Sequence, residues 1–372
     1  MSEELKVIVL DDSWKNKTND FVNNSKWGDI LQFWQWAQIK SQEGWKVLRV
    51  GVLQSGELVL FAQILYKKAS ILGNYAYIPH GPIFQNVATL NHSLPVFNEF
   101  IRSIAAKYDF FTLEIEPKIG NFLEDSHPKE LEYFSDPKII EAFEKSGYAV
   151  TGRNMQPKYK LYYDLNLTEE ELLACCQKST RYNVRLAQKK GVEVKEYLPN
   201  SPEINDKIKV YYDLLLETQK RAKGYPIRSL DSFQKMFEVF KNTGESPISL
   251  FEASYNGETI AINISQRTKH WSSSFYAASN RLYSEVKAMY LLRWKSVMKA
   301  KESGSSLYDF WGIIPNSSQH AGYSDHKLSF GGIRLDTNGL LALPLKPFQA
   351  FVWDKGIPMI TSFKKHLRII KN

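Results

Sequence analysis

A chain of 372 residues, 43% hydrophobic, 13% aromatic and 24% charged, carries enough apolar surface for packed cores and is too long for one typical domain. Two domains are therefore expected, and wholesale disorder and a collagen-like chain are excluded. No run approaches the ~18 uninterrupted apolar residues of a membrane span, and Met1-Ser2-Glu3-Glu4-Leu5-Lys6 is too acidic and polar for a signal peptide, so a cytoplasmic location is expected. The net charge of +8 biases partners toward polyanions: RNA, phosphorylated metabolites or lipid head groups.

In chain order, Ile30 to Lys40 has apolar positions at helical spacing and predicts a helix ending near Gly44. Two β-rich runs, 47–53 and 58–65, flank Gln54-Ser55-Gly56-Glu57, a turn sequence with Gly where positive φ is needed, and predict a hairpin. Tyr77-Ile78-Pro79-His80-Gly81-Pro82 breaks any helix or central strand. A helical pattern around 97–107 precedes a buried strand, 110–117, that stops at Pro117.

The strongest predicted helix follows. Thr168 with Glu171 three residues on forms a capping box, and Gly191 supplies the stop. Leu173, Cys176, Thr180, Val184 and Ala187 trace one stripe; Lys178, Arg181, Arg185 and Lys189 trace a basic one. That basic face is either a solvated surface or a track for phosphates. Cys175 and Cys176 are neighbours, close no long loop, lack metal-finger spacing and are expected to lie on the helix as small hydrophobes. Gln188-Lys189-Lys190-Gly191-Val192-Glu193 approaches a pyrophosphate loop of acyl-CoA enzymes, but Glu193 puts negative charge where phosphate would sit, which disfavours a CoA donor.

A second hairpin is predicted from 248–255 and 259–264 around Asn256-Gly257-Glu258. Each hairpin follows a helix with Lys or Arg near its end, so the chain reads as a doubled αβ unit. Tyr308-Asp309-Phe310-Trp311-Gly312-Ile313, a loop rich in Asn and Ser, and Lys327 just before Phe330-Gly331-Gly332 together suggest a substrate pocket with one fixed cation. Nucleotide-binding glycine loops, zincin helices and hydrolase elbows are missing. The histidines at 80, 92, 127, 270, 320, 326 and 366 are scattered, so neither a metal nor another cofactor is expected.

Gln32–Lys40 with Gly44-Trp45, Tyr77–Pro82, Met155-Gln156-Pro157, Lys178–Lys190, Glu217–Arg221, Tyr308–Gly312 and Lys327–Gly332 fall in an order that resembles the FemABX peptidoglycan aminoacyltransferases. The resemblance spans roughly 32–332. It implies an α/β fold of two GNAT-like (acyl-CoA N-acyltransferase-like) domains in tandem, each a mixed sheet flanked by helices: the first over 1–150, completed by 340–372, and the second over 151–339. The stretch from Tyr225 to Pro247 is too short for the helical arm of larger members, so the chain is similar to the short, FemX-type ones. Glu116 stands before a proline where Asp is familiar, and His326 precedes the lysine where an aromatic is common.

The resemblance implies transfer of an amino acid from aminoacyl-tRNA to the stem peptide of a cell-wall precursor, either UDP-MurNAc-pentapeptide or lipid II, with possible peripheral contact with the inner membrane surface and no DNA partner. Lys40, Arg221, Tyr225 and Tyr276 would hold the precursor, Arg being suited to bidentate phosphate contacts. Lys327 would face the tRNA acceptor end or the developing oxyanion. Glu116 is either a group that positions or deprotonates the acceptor amine or a buried structural carboxylate. Lys178, Arg181, Arg185 and Lys189 would contact tRNA. The competing readings are a related transferase acting on a protein N-terminus, a lipid or a small metabolite, and a basic RNA-binding module without catalysis.

Overall fold

The computed structural model describes residues 4–221, 226–243, 247–314 and 321–356. These fall into two compact units. The first comprises the described residues up to Ile119, Asp136–Gln156 and the described residues from Asn338 onward; the second comprises Gly120–Ser135 and the described part of Pro157–Thr337. Sequence alone assigned 120–135 to the first domain. The structure puts that segment in the second, because Gly120–Phe122 pairs antiparallel with Ile333–Thr337.

Each unit is built on one eight-stranded sheet. In the first the order is Leu5–Val9, Lys46–Gln54, Glu57–Lys68, Asn74–Pro79, Phe110–Glu116, Leu341–Pro344 and Ala149–Val150, with Ile83–Phe84 beside the third strand. In the second it is Glu193–Tyr197, Ile248–Tyr255, Glu258–Arg267, Trp271–Ser279, Leu307–Asp309, Tyr159–Asp164, Ile333–Thr337 and Gly120–Phe122. Every pair along both orders is antiparallel except the fourth with the fifth, which is parallel in both. A helix makes each parallel crossover: Val87–Ile104 in the first unit and Ala288–Glu302 in the second. The doubled αβ unit is thus a repeat of topology.

The hairpin turns explain why the repeat was readable. Ser55 and Gly56 have φ of 51° and 86°, Asn256 and Gly257 of 52° and 81°. Positive φ at both central residues gives the turn whose twist matches the flanking strands. Each hairpin also carries a register shift at the same depth, at Val52/Leu53 and at Ala253/Ser254.

The crossover helices differ in what they bury. Val87–Ile104 presents Leu90, Leu94, Phe97 and Ile101, all fully buried, at helical spacing. Ala288–Glu302 buries Leu291, Leu292 and Val297 but also Arg293 and Ser296. The interior of the second unit is therefore partly polar.

Two predicted helices are broken. Over 30–40 the chain forms a short 3-10 turn, Ile30–Gln32, then a helix, Trp36–Ser41. Side chains from the hairpin take the carbonyls between them: Gln63 Nε2 donates to Phe33 O at 2.9 Å and Arg49 to Trp34 O at 3.0 Å. The helix predicted from Thr168 to Gly191 divides into Glu169–Cys175 and Lys178–Lys189. Its capping box is present, but Cys176 and Gln177 are extended, and Gln177 N–H donates to Ser329 O at 2.9 Å. Cys175 is accordingly exposed rather than packed, while Cys176 is buried. No helix among the described residues is long and apolar enough to cross a membrane.

Candidate functional site

In the first unit, strand alternation sets two carboxylates against two phenols. Glu114 and Glu116 lie on one face of Phe110–Glu116; Tyr75 and Tyr77 lie on the adjacent Asn74–Pro79. Tyr75 donates to Glu114 at 2.9 Å and Tyr77 to Glu116 at 2.5 Å. Burial first, and the neighbouring carboxylate second, hold both phenols well above the ordinary tyrosine range, so both remain donors. Arg153 pairs with Glu114 at 2.5 Å. The other oxygen of Glu116 accepts the backbone N–H groups of Met155 and Gln156, each at 2.9 Å. Glu116 thus fastens the segment just before Pro157, where the chain leaves this unit. This geometry suits an anchoring carboxylate better than a base, since its oxygens are already engaged.

Lys40 lies in the last turn of Trp36–Ser41, pairs with Glu43 and sits 5.5 Å from the Trp45 ring. Elsewhere in the same unit, the loop that contains Pro79 and Pro82 places His80 Nδ1 2.7 Å from Asp29 Oδ2, with Lys118 Nζ at 3.3 Å. All three side chains are buried. His80 and Lys118 overcome the burial cost at Asp29 and hold its carboxyl well below the usual range. Sequence reading used the His80 loop as a breaker and as one block of the family resemblance, gave His80 no role, and passed over Asp29 and Lys118.

In the second unit, Lys327 lies in the last turn of Ala321–Leu328, is 1% exposed and donates to Gly312 O at 2.6 Å. Burial, then Arg293 and to a lesser degree Lys160, push its amine well below the ordinary lysine range, with Asp309 opposing. Asp309 pairs with Lys160 at 3.3 Å and accepts from Trp311 N–H at 2.6 Å; the Lys160 ammonium lies 3.7 Å from the Trp311 ring centroid. The lysine read from sequence is therefore one of a buried set of basic side chains, Lys160, Arg293 and Lys327, with Asp309 paired to Lys160. Lys160 and Arg293 were missed. The available signal was a charge at an inward position of the apolar strand Tyr159–Asp164 and another on the apolar side of Ala288–Glu302. The His326 ring packs tilted against Tyr290 and Phe330, with centroids 4.3 and 5.6 Å away. Burial holds it well below its ordinary value, so the neutral imidazole fills an aromatic slot.

Arg221 ends the helix Ile204–Arg221 and donates to Ser279 O at 2.6 Å. Tyr276 lies three residues earlier on the same strand as Ser279, and its hydroxyl accepts from Arg228 Nε at 2.9 Å. The structure brings Arg221, Arg228 and Tyr276 to one stretch of that strand; Arg228 was not foreseen. Tyr225 lies outside the described residues. On the basic helix, Lys178, Arg185 and Lys189 are exposed. Arg181 instead turns back to Cys176 O and to Ala174 O at 3.4 Å, closing the end of the preceding helix. The Gln188–Glu193 stretch runs from helix end into strand, so it lacks the helix N-terminus that a phosphate loop requires. Among the described residues, no group of three or more His, Cys, Asp or Glu side chains is arranged to hold a metal ion.

The FemAB family model matches residues 15–272 and 251–353. The chain belongs to the FemAB family. It is 23% identical over 293 residues to the lipid II:glycine glycyltransferase of Staphylococcus aureus strain USA300, covering 77% of this chain and 61% of that protein. Against the same enzyme of strain MRSA252 the identity is 25% over 241 residues, 63% of this chain and 53% of the relative. The chain thus spans less than two thirds of the curated relatives it matches. Among solved structures it superposes on FemX with a TM-score of 0.79 at 16% identity, covering 94% of this chain and all of that one. A tandem GNAT protein from the clavulanic acid biosynthesis pathway gives a TM-score of 0.50 at 12% identity, with 92% of this chain and 99% of that one covered. The α/β fold is therefore a FemX-like pair of GNAT-like units.

Proposed function

We propose that this chain is an aminoacyltransferase that moves an amino acid from aminoacyl-tRNA to the stem peptide of a peptidoglycan precursor, forming or extending a cross-bridge. The carrying observation is the FemAB match across 15–353, together with relatives named lipid II:glycine glycyltransferase. The acceptor amine attacks the ester carbonyl of the charged tRNA, the tetrahedral oxyanion collapses, the ribose oxygen leaves and the amine proton is lost. Because the ester is already activated, positioning and stabilisation of developing charge suffice, and no covalent nucleophile is needed.

Arg221, Arg228 and Tyr276, with Lys40 and Tyr225, are assigned to the precursor, whose diphosphate suits guanidinium contacts. Lys178, Arg185 and Lys189 are assigned to tRNA. Glu116 acts as a positioning residue through the 155–156 backbone. For Lys327, burial beside Arg293 holds the pKa of the amine below the ordinary lysine range, and an anion arriving there, the oxyanion or a terminal phosphate, favours its charged form.

The test is purified protein with mixed charged tRNAs and either UDP-MurNAc-pentapeptide or lipid II, read by mass. An aminoacyl mass increase on one acceptor supports the reading and identifies amino acid and acceptor. No transfer to either, with intact fold, overturns it. Lys327→Met is expected to lower kcat by on the order of 10²–10³ if the amine meets the oxyanion. A raised KM for tRNA alone assigns it to donor docking, and wild-type kinetics remove it from the site.

A further inference from the structure

One edge of the first unit carries exposed apolar side chains among the described residues. Ile71, at the tip of the Ser70–Leu72 turn, is 96% exposed; Phe348 and Phe351, on the helix Pro347–Phe351, are 75% and 64% exposed. These belong to one edge because their neighbours share one cluster: Ala69 and Leu72, and equally Ala350 and Trp353, pack on Tyr75, Tyr77, Phe111 and Leu340. Asp109 ties the segments together. Its carbonyl accepts from Asn74 N–H at 2.7 Å, and its carboxylate pairs with Lys346, immediately before the helix.

Among the described residues, the charge on this edge that is not matched by an ion pair is positive. Lys67 and Lys68 end the strand leading into the Ile71 turn, and Lys107 sits in the turn beside Asp109; all three are exposed. The nearby acids are neutralised within the edge, Asp109 by Lys346 and Asp354 by Arg153 and Lys355. Protruding aliphatic and aromatic tips beside unpaired surface charge of positive sign match an anionic bilayer, whose interface accepts the apolar tips while its head groups attract lysine.

We propose that this edge docks the protein on an anionic lipid surface, with Ile71, Phe348 and Phe351 inserted and Lys67, Lys68 and Lys107 against the head groups. The proposal concerns where the chain works, so it stands or falls separately from the transfer reaction.

The experiment is co-sedimentation of the full chain with vesicles of equal parts phosphatidylglycerol and phosphatidylcholine, and with phosphatidylcholine alone, at low and high salt. Binding to the anionic vesicles, weakened by salt, is expected. Ile71→Ser combined with Phe348→Ser and Phe351→Ser is expected to lower partitioning by at least about tenfold. Each of Lys67→Gln, Lys68→Gln and Lys107→Gln is expected to lower it about fivefold at low salt. Should the triple serine variant fail to fold, Ile71→Ser alone serves, since its side chain lies in an exposed turn. Absence of wild-type binding to anionic vesicles, or wild-type binding by Ile71→Ser, overturns the proposal. So does a dimer in sedimentation that Ile71→Ser dissolves without any vesicle binding, which assigns the edge to a second copy. Whatever transfer the wild type shows to a soluble UDP-linked acceptor is expected to be unchanged in these variants, which separates loss of docking from loss of the reaction.

Discussion

Asp29 is a case where one carboxylate decides the fate of several buried groups. Its partners His80 and Lys118 lie within 2.7 and 3.3 Å in a site shut off from solvent. Asp29→Asn removes the carboxylate charge that faces Lys118 and His80 in this buried site, and breaking a buried pair in this way typically costs about 3–5 kcal/mol. Because the folded carboxyl sits below its unfolded value, the stabilisation is full above about pH 4 and fades as pH falls toward the folded value. Urea unfolding of wild type and variant should therefore differ by a constant amount at neutral pH and converge in acid. Equal stability at neutral pH would show that the cluster contributes nothing. This residue was not legible in the sequence because it is separated from Lys118 by almost ninety positions, and only the fold makes them neighbours. Lys327 was legible because Phe330-Gly331-Gly332 marked its surroundings; Lys160 and Arg228 had no such local marker.

At the scale of elements, legibility follows locality. Both hairpins were readable since a turn of four residues contains its own instructions. The break between Glu169–Cys175 and Lys178–Lys189 was not, because it is imposed from 329–331. Gly331 has φ of +83°, and a Cβ there would lie 2.3 Å from Cys175 O. Gly56 has a similar φ of +86° but open space around the same position. Gly56→Ala should thus cost only the left-handed penalty of about 1–2 kcal/mol, and Gly331→Ala clearly more, in chemical denaturation. Equal costs would show that the contact with the helix break is unimportant. On the following helix, Arg181→Gln should lower stability by about 0.5–1 kcal/mol through loss of its contact to the preceding carbonyls. Lys178, Arg185 and Lys189 changed together to Gln should leave stability within about 0.5 kcal/mol per site yet reduce the salt dependence of tRNA binding by a slope of roughly 2–3. An unchanged slope would return that face to plain solvent exposure.

For the whole molecule, the decisive feature is that the first unit is not continuous in sequence. Leu341–Pro344 lies inside its sheet, hydrogen bonded to Phe110–Glu116 on one side and Ala149–Val150 on the other. Leu340, Leu341 and Leu343 are fully buried or nearly so, and burying three such side chains contributes roughly 5–9 kcal/mol. That is comparable to the entire stability of a typical domain, about 5–15 kcal/mol. The described strands of the second sheet, by contrast, all lie at or before Thr337. Ending the chain after Thr337 should therefore unfold the first unit while the second keeps its own strands. Hydrogen exchange reads the two separately: amides of Val87–Ile104 and Phe110–Glu116 should lose protection, and those of Ile248–Tyr255 and Glu258–Arg267 should retain it. Retained protection in Phe110–Glu116 would mean that its pairing with Asn74–Pro79 suffices. Loss in both sets would mean that the second unit draws stability from the first.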